Sequence, residues 1–307
     1  MLKDFLPYEI YNSLILKCSE LEVNEIHIRD KMPITVVVNC KTYFLSPNGI
    51  CSGYNQAIYA SSNLIEDIIF KASNYSIYSV NEQICNGYLM VDGGIRIGIC
   101  GEVVSDGAIK TMKNFSSLCI RIPHLVKNAS LPIFNQILNG GNLNNSLIIS
   151  PPGAGKTTLL RDIIYQFSNH SYPYNIFIAD ERGEIVGGKG SGLNLGNFYD
   201  YVSFLNKKDS LIMGIRSMSP QIVVTDELGA EQDFEAVEMA INCGVCVIAS
   251  MHAKDITEVK NKQCFKSMLQ NKYFKRYIVL SKQNGAGTIE GVYDENMNRI
   301  YGAVQWK

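Results

Sequence analysis

Ser150-Pro-Pro-Gly-Ala-Gly155-Lys156-Thr157 is a glycine-rich turn with a lysine and a hydroxyl at its end. It lies between an apolar run, Leu147 to Ile149, and a helix-like run beginning at Thr158. In that context the turn directs backbone N–H groups at the β- and γ-phosphates of a nucleotide. The lysine ammonium spans those phosphates, and the adjoining hydroxyl reaches Mg2+. Pro152, Gly153, Ala154, Gly155, Lys156, Thr157 and Thr158 are therefore expected to bind ATP, with Thr157 also on the metal. Ser150 stands where such loops usually begin with glycine. Serine tolerates an unusual turn less well than glycine, so Ser150 is expected to bear on hydrolysis rate more than on binding.

Carboxylates supply the other half of the chemistry. Ile222-Val-Val-Thr-Asp226-Glu227 is an apolar strand ending in two acids. Asp226 is assigned to the Mg2+ shell, and Glu227 to orienting or deprotonating the attacking water. The alternative for this pair is a charge pair at a helix N-terminus, because Glu231, Asp233 and Glu235 follow. His252 comes directly after the run Val245 to Ser250, next to the Asp-Glu strand, where it could hydrogen-bond γ-phosphate and report its loss. Ile178-Ala-Asp180-Glu181-Arg182 ends a further strand. Glu181 is the candidate there for positioning water or metal, Asp180 being available to hold the turn; an ordinary charged turn is the alternative.

These residues need a scaffold that brings strand ends together. From Leu143 onward, short apolar strands alternate with helices, which implies a parallel sheet with crossover helices. Its expected strands are Leu147 to Ile149, Ile176 to Ala179, Ile222 to Thr225 and Val245 to Ala249. Ligand belongs at their carboxyl ends, where all four runs turn polar. A helix with Phe234, Val237, Ala240 and Ile241 on one face is expected to stop at Gly244. Gly183 to Gly196 holds six glycines and is expected as a mobile loop.

Residues 1–125 read as a smaller mixed α/β domain, 126–144 as a linker with a short helix over Leu131 to Leu138, and 145–307 as the nucleotide domain. In the first domain Ile10, Leu14, Cys18 and Leu21 recur at helical spacing, and Asn63-Leu-Ile-Glu66 reads as a capping box. Strands are expected at Ile34 to Val38, Gly87 to Val91, Ile95 to Cys100 and Leu118 to Ile122. Val91-Asp-Gly-Gly-Ile95 reads as a hairpin turn.

Composition narrows the class. The chain has 307 residues, 46% of them apolar, and a formal net charge of −1. That balance, without any basic block, disfavours a nucleic-acid partner. Nine cysteines form no framework, and the single C-x-x-C, Cys243 and Cys246, is expected to be a pair of core thiols. A reduced, cytoplasmic compartment follows as the expectation. No apolar run approaches the ~18 residues that span a bilayer, and Asp4, Pro7 and Glu9 interrupt any signal-peptide pattern. Membrane contact is then expected through a protein partner.

In order along the chain come the phosphate loop, Ala179-Asp-Glu-Arg182, Arg216-Ser-Met-Ser-Pro-Gln-Ile-Val-Val-Thr-Asp-Glu-Leu-Gly229 and Ser250-Met-His252. Together they resemble the type II/type IV secretion ATPases, and within them the sporulation branch of endospore-forming bacteria. Leu280-Ser-Lys-Gln-Asn-Gly-Ala-Gly-Thr-Ile-Glu-Gly-Val-Tyr293 and Asn24-Glu-Ile-His-Ile-Arg29 are similar to that branch as well. The resemblance implies an α/β fold with a RecA-like P-loop core, an N-terminal domain covering the nucleotide, and a homo-hexamer working on a membrane-embedded channel or secretion-type complex. For the sporulation branch it implies a channel between mother cell and forespore, powered from the mother-cell cytoplasm. It further implies N-terminal arginines against the phosphates: Arg96 and Arg121 are the candidates, with strand arginines paired to acids as the alternative. Arg216 is a third candidate, for an intersubunit contact. The tetracysteine zinc module of many type II assembly ATPases is absent from the sequence. A RecA-like nucleic-acid motor and a nucleotide-switched scaffold without turnover are the other readings.

Overall fold

The computed structural model describes residues 2–38, 41–123, 125–187, 193–302 and 304–305. Contacts divide the chain into two units, Met1–His124 with Gly187–Gly192, and Leu125–Val186 with Leu193–Lys307.

The described residues of the first unit form a seven-stranded antiparallel sheet. Its strands are β1 (Val23–Arg29), β2 (Thr35–Val38), β3 (Lys41–Ser46), β4 (Gly49–Cys51), β5 (Tyr88–Val91), β6 (Ile95–Asp106) and β7 (Ala108–Arg121), in the order β4-β3-β2-β1-β7-β6-β5. Alternation sets its inner face. Ile95, Ile97 and Ile99 are buried, whereas Arg96, Gly98 and Cys100 between them are not. That face packs with α1 (Tyr8–Ile15), α2 (Ser62–Ala72) and α3 (Asn81–Cys85) into one core.

The expected β5–β6 hairpin is present, with Val91 opposite Ile95 and positive φ at Gly93 and Gly94. β6 and β7 run well past the expected Cys100 and Leu118, because their outer ends alternate too weakly in polarity to read as strand. Two helix boundaries also differ. α1 ends at Ile15, so Cys18 is buried beyond it and bonds Leu14 O instead. The cap of α2 is Ser61, two residues before Asn63; its side chain accepts the Leu64 N–H at 3.2 Å.

The second unit carries α4 (Leu131–Ile137), the short pair β8 (Leu138–Asn139) and β9 (Asn142–Leu143), and then the main sheet. Residues 126–144 were expected as a linker, yet they are packed. Ile133 and Ile137 are fully buried, and the Asp162 carboxylate accepts from Asn128 N, Ser130 N and Ser130 Oγ at 2.6–2.8 Å.

The main sheet is built from β10 (Ser146–Ser150), β11 (Ile176–Asp180), β12 (Tyr199–Ser203), β13 (Ile222–Glu227), β14 (Cys246–His252), β15 (Arg276–Ser281), β16 (Thr288–Tyr293), β17 (Arg299–Tyr301) and β18 (Val304–Gln305). Its order is β12-β11-β13-β14-β10-β15-β16-β17, with β18 also on β16. The first six of these strands are mutually parallel, and the rest antiparallel.

Parallel strands covered on both faces need continuous apolar runs, and every residue of β10 and β11 is buried. Each large aliphatic side chain contributes about 2 kcal/mol by leaving water. One face packs α5 (Lys156–Ser168) and α4; the other packs α6 (Lys207–Met218), α7 (Glu231–Asn242), α8 (Ile256–Asn261) and α9 (Lys266–Gln270). α7 stops before Gly244, whose φ is +81°.

Cys246 is a core thiol, pushed up to about 12 by burial, but Cys243 is exposed because it lies past the end of α7. Within the glycine-rich stretch, Glu184 to Val186 is ordered rather than loose, and Gly188, Gly190 and Gly192 lie outside the described residues. No helix among the described residues is long and apolar enough to cross a membrane.

Candidate functional site

β10 lies between β14 and β15, so the turn leaving it is flanked by two other strand ends. Gly153 (φ +69°) and Gly155 (φ +101°) occupy left-handed backbone, where a side chain is disfavoured. Gly155 caps the 13-residue α5, so the helix N-terminus and its unpaired N–H groups open onto the turn. Ala154 is buried, Thr157 and Thr158 are half-buried, and Pro152 is exposed. Ser150 needs no special turn. It is the last residue of β10, fully buried and opposite His252 on β14, and its hydroxyl donates to Pro151 O at 2.9 Å. The cost expected of serine at this position is therefore not incurred.

Lys156 points toward the end of β14. Its Nζ lies 2.7 Å from His252 Nδ1 and 3.2 Å from Nε2. His252 Nε2 is in turn 3.0 Å from Glu227 Oε2, and Arg182 Nη1 is 3.3 Å from the same oxygen. One tautomer satisfies the chain: Nδ1 accepts from lysine while Nε2–H donates to the carboxylate. Burial holds the Lys156 ammonium down to about 8 despite the opposing pull of Glu227 and Glu184.

A second group forms beside it. A register shift between Val224 and Glu227 separates the two acids at the end of β13. Asp226 is buried, and Lys207 Nζ reaches both its Oδ1 at 2.8 Å and Glu181 Oε2 at 2.5 Å. Arg182 N donates to Asp226 Oδ2 at 3.4 Å. Burial raises Asp226 to about 6, against the attraction of Lys207. For Lys207 burial acts downward, but the ion pairs with Asp226 and Glu181 prevail and raise it.

Asp180 is spent on the turn after β11: its oxygens accept the N–H groups of Glu184, Ile185 and Val186 at 2.9–3.1 Å. Buried Arg161 on α5 closes the same turn through Ile185 O and Glu184 O.

Lys156, Glu227 and His252 thus meet at the glycine turn, while Asp226 and Glu181 meet at Lys207. Arg96 and Arg121 belong to the first unit. They are directly opposite each other on β6 and β7; Arg121 Nε lies 3.3 Å from Glu25, and the Arg96 guanidinium sits 4.4 Å from the Tyr88 ring centre.

Sequence reading missed Lys207. The signal was a lysine pair at the start of a helix, behind the Asn206 cap, where the dipole favours acids. Asp226 Oδ1 has the lysine as an ion-pair partner but no aligned hydrogen bond. A hard carboxylate oxygen with spare acceptor capacity and a threonine hydroxyl are donors suited to Mg2+.

Comparison with known proteins gives concordant results. The family model described as Sporulation stage III, protein AA matches residues 9–300. Stage III sporulation protein AA of Bacillus subtilis (strain 168) is 32% identical over 304 residues, covering 96% of this chain and 95% of that protein. Among solved structures, the pilus retraction motor PilT with bound ADP aligns with a TM-score of 0.60 at 15% identity, over 88% of this chain and 76% of its own. The ATPase DotB of Legionella pneumophila aligns at 0.55 and 15%, over 84% and 72%. At that identity the two structures speak for a shared fold, that of the RecA-like P-loop ATPases.

Proposed function

The chain belongs to the sporulation stage III protein AA family, and from that premise we propose that it hydrolyses ATP. The observation that carries the proposal is the meeting of Lys156, His252 and Glu227 at a glycine turn capping α5. The turn's N–H groups and the Lys156 ammonium bind the β- and γ-phosphates. Glu227 orients the attacking water and takes its proton as the water oxygen bonds to the γ-phosphorus and the bond to the ADP oxygen breaks. His252 hydrogen-bonds Glu227 and loses Lys156 to the phosphates, so it registers whether nucleotide is present.

Thr157 and Asp226 are the residues that would hold Mg2+. When bound, the ion neutralises charge on the β- and γ-phosphate oxygens. Glu181, tied to Asp226 through Lys207, supports that carboxylate. Arg96 and Arg121 keep the role implied by the family resemblance, contact with the phosphates.

Family membership further supports a role in sporulation. We assign the chain to a homo-hexamer working from the mother-cell cytoplasm on a membrane-embedded channel complex. Lys156→Ala should lose ATP binding. Glu227→Gln should keep binding and lose turnover by about a hundredfold or more. Phosphate release and equilibrium nucleotide binding measured side by side test both. Wild-type protein that binds ATP with no turnover above the Glu227→Gln level would replace hydrolysis with a nucleotide-switched scaffold.

A further inference from the structure

β15 runs parallel to β10, with Ser146 opposite Arg276 and Ile149 opposite Val279. The chain therefore leaves both strands at the same edge of the sheet, where ligands of such folds bind. The turn after β10 is the phosphate loop. The turn after β15, Lys282-Gln-Asn-Gly-Ala-Gly287, is also rich in glycine, and its construction is specific. Gly285 N donates to Lys282 O at 3.1 Å, Gln283 N to Ser281 Oγ at 3.2 Å, and Thr288 Oγ1 to Gly285 O at 2.9 Å. Gly285 and Gly287 have φ of +101° and +91°. The two turns are joined directly, because Gly287 N donates to Ala154 O at 3.0 Å.

This join brings the Lys282 side chain over the phosphate loop. A methyl group built on Gly153 would lie 3.0 Å from Lys282 Nζ and 3.4 Å from Cε. Lys282 is exposed and, among the described residues, takes part in no ion pair. An unpaired surface lysine normally extends its ammonium into water. Here the ammonium rests against the backbone of a loop whose N–H groups and helix end already favour an anion. The loop's own lysine, Lys156, faces the opposite neighbour of β10, through His252 on β14.

We propose that Lys282 is a second phosphate-binding lysine, supplied in cis by the β15–β16 turn, so that Lys156 and Lys282 bracket the nucleotide phosphates from the β14 and β15 sides. The proposal rests on the reading of the loop as a nucleotide site. It also gives Gly153 a second duty beyond its backbone angle, since any side chain there would displace the Lys282 head.

Equilibrium binding of mant-labelled ATP, ADP and AMP, followed by fluorescence anisotropy at two salt concentrations, tests it with the full chain. The proteins are wild type, Lys282→Gln, Lys282→Arg and, as a surface control, Lys260→Gln. A lost charge-assisted hydrogen bond predicts ATP binding about ten- to a hundredfold weaker in Lys282→Gln, with a smaller effect on AMP, a shallower salt dependence and partial rescue in Lys282→Arg. Wild-type affinity within twofold in Lys282→Gln for all three nucleotides overturns the proposal while leaving the nucleotide site standing. Wild-type protein that binds none of them overturns the nucleotide reading and Lys282's role together.

Discussion

Lys156 holds a charge in a half-buried position, and burial brings its pKa down to about 8 from the ordinary 10.5. The folded chain therefore binds fewer protons than the unfolded one between those values, and the stability of the nucleotide-free protein rises with pH across that window. Phosphates favour the charged lysine, so ATP binding should draw a proton from solution at pH 8.5 to 9. Titration calorimetry in two buffers of different ionisation enthalpy measures that uptake. A binding enthalpy independent of the buffer would show that Lys156 is fully charged before ATP arrives. At this scale much of the candidate site was legible, because motif chemistry singled out Lys156, Glu227 and His252, and these are three side chains that the fold brings together. Two readings needed coordinates. Ser150 looked like an irregular turn residue, but it ends a strand in extended backbone. Lys207 looked like surface, since nothing in a local pattern marks a helical lysine whose partners are 26 and 19 residues away, one just after β11 and one on β13.

Elements were read best where burial on both sides makes them wholly apolar. β10, β11, β13 and β14 match the four expected strands within three residues. β12 escaped notice because Tyr199-Asp-Tyr-Val-Ser is an edge strand of mixed polarity, and β15 because its apolar core, Tyr277 to Leu280, gives no cue separating it from a buried helix. The packed start of α4 was also unreadable, since it depends on Asp162, a helical residue more than 30 positions away. That carboxylate satisfies three donors at the head of α4. Asp162→Ala should strand them and destabilise the second unit by about 3 kcal/mol. Urea denaturation followed by tryptophan-independent far-UV dichroism gives the midpoint shift. An unchanged midpoint would mean that water replaces the carboxylate without loss.

The whole molecule is an antiparallel unit and a unit with a largely parallel sheet in one chain, and the first carries the two arginines that family resemblance would assign to phosphate. Arg96 and Arg121 face each other across adjacent strands, a like-charge arrangement that disfavours the sheet and that Glu25 offsets at Arg121. If the active form is a homo-hexamer, ATP turnover per chain should rise with protein concentration, and Arg96→Ala or Arg121→Ala should lower turnover while sparing nucleotide affinity. Specific activity that stays flat across a hundredfold dilution series would point to a self-sufficient monomer.

Lys207 also fixes how the two carboxylates beside it are held. Two carboxylates at the ends of neighbouring strands would repel each other and splay those ends apart. Its ammonium acts as an internal counter-ion that holds Glu181 and Asp226 together. That cluster is therefore preorganised, and the entropy of gathering those side chains is spent during folding.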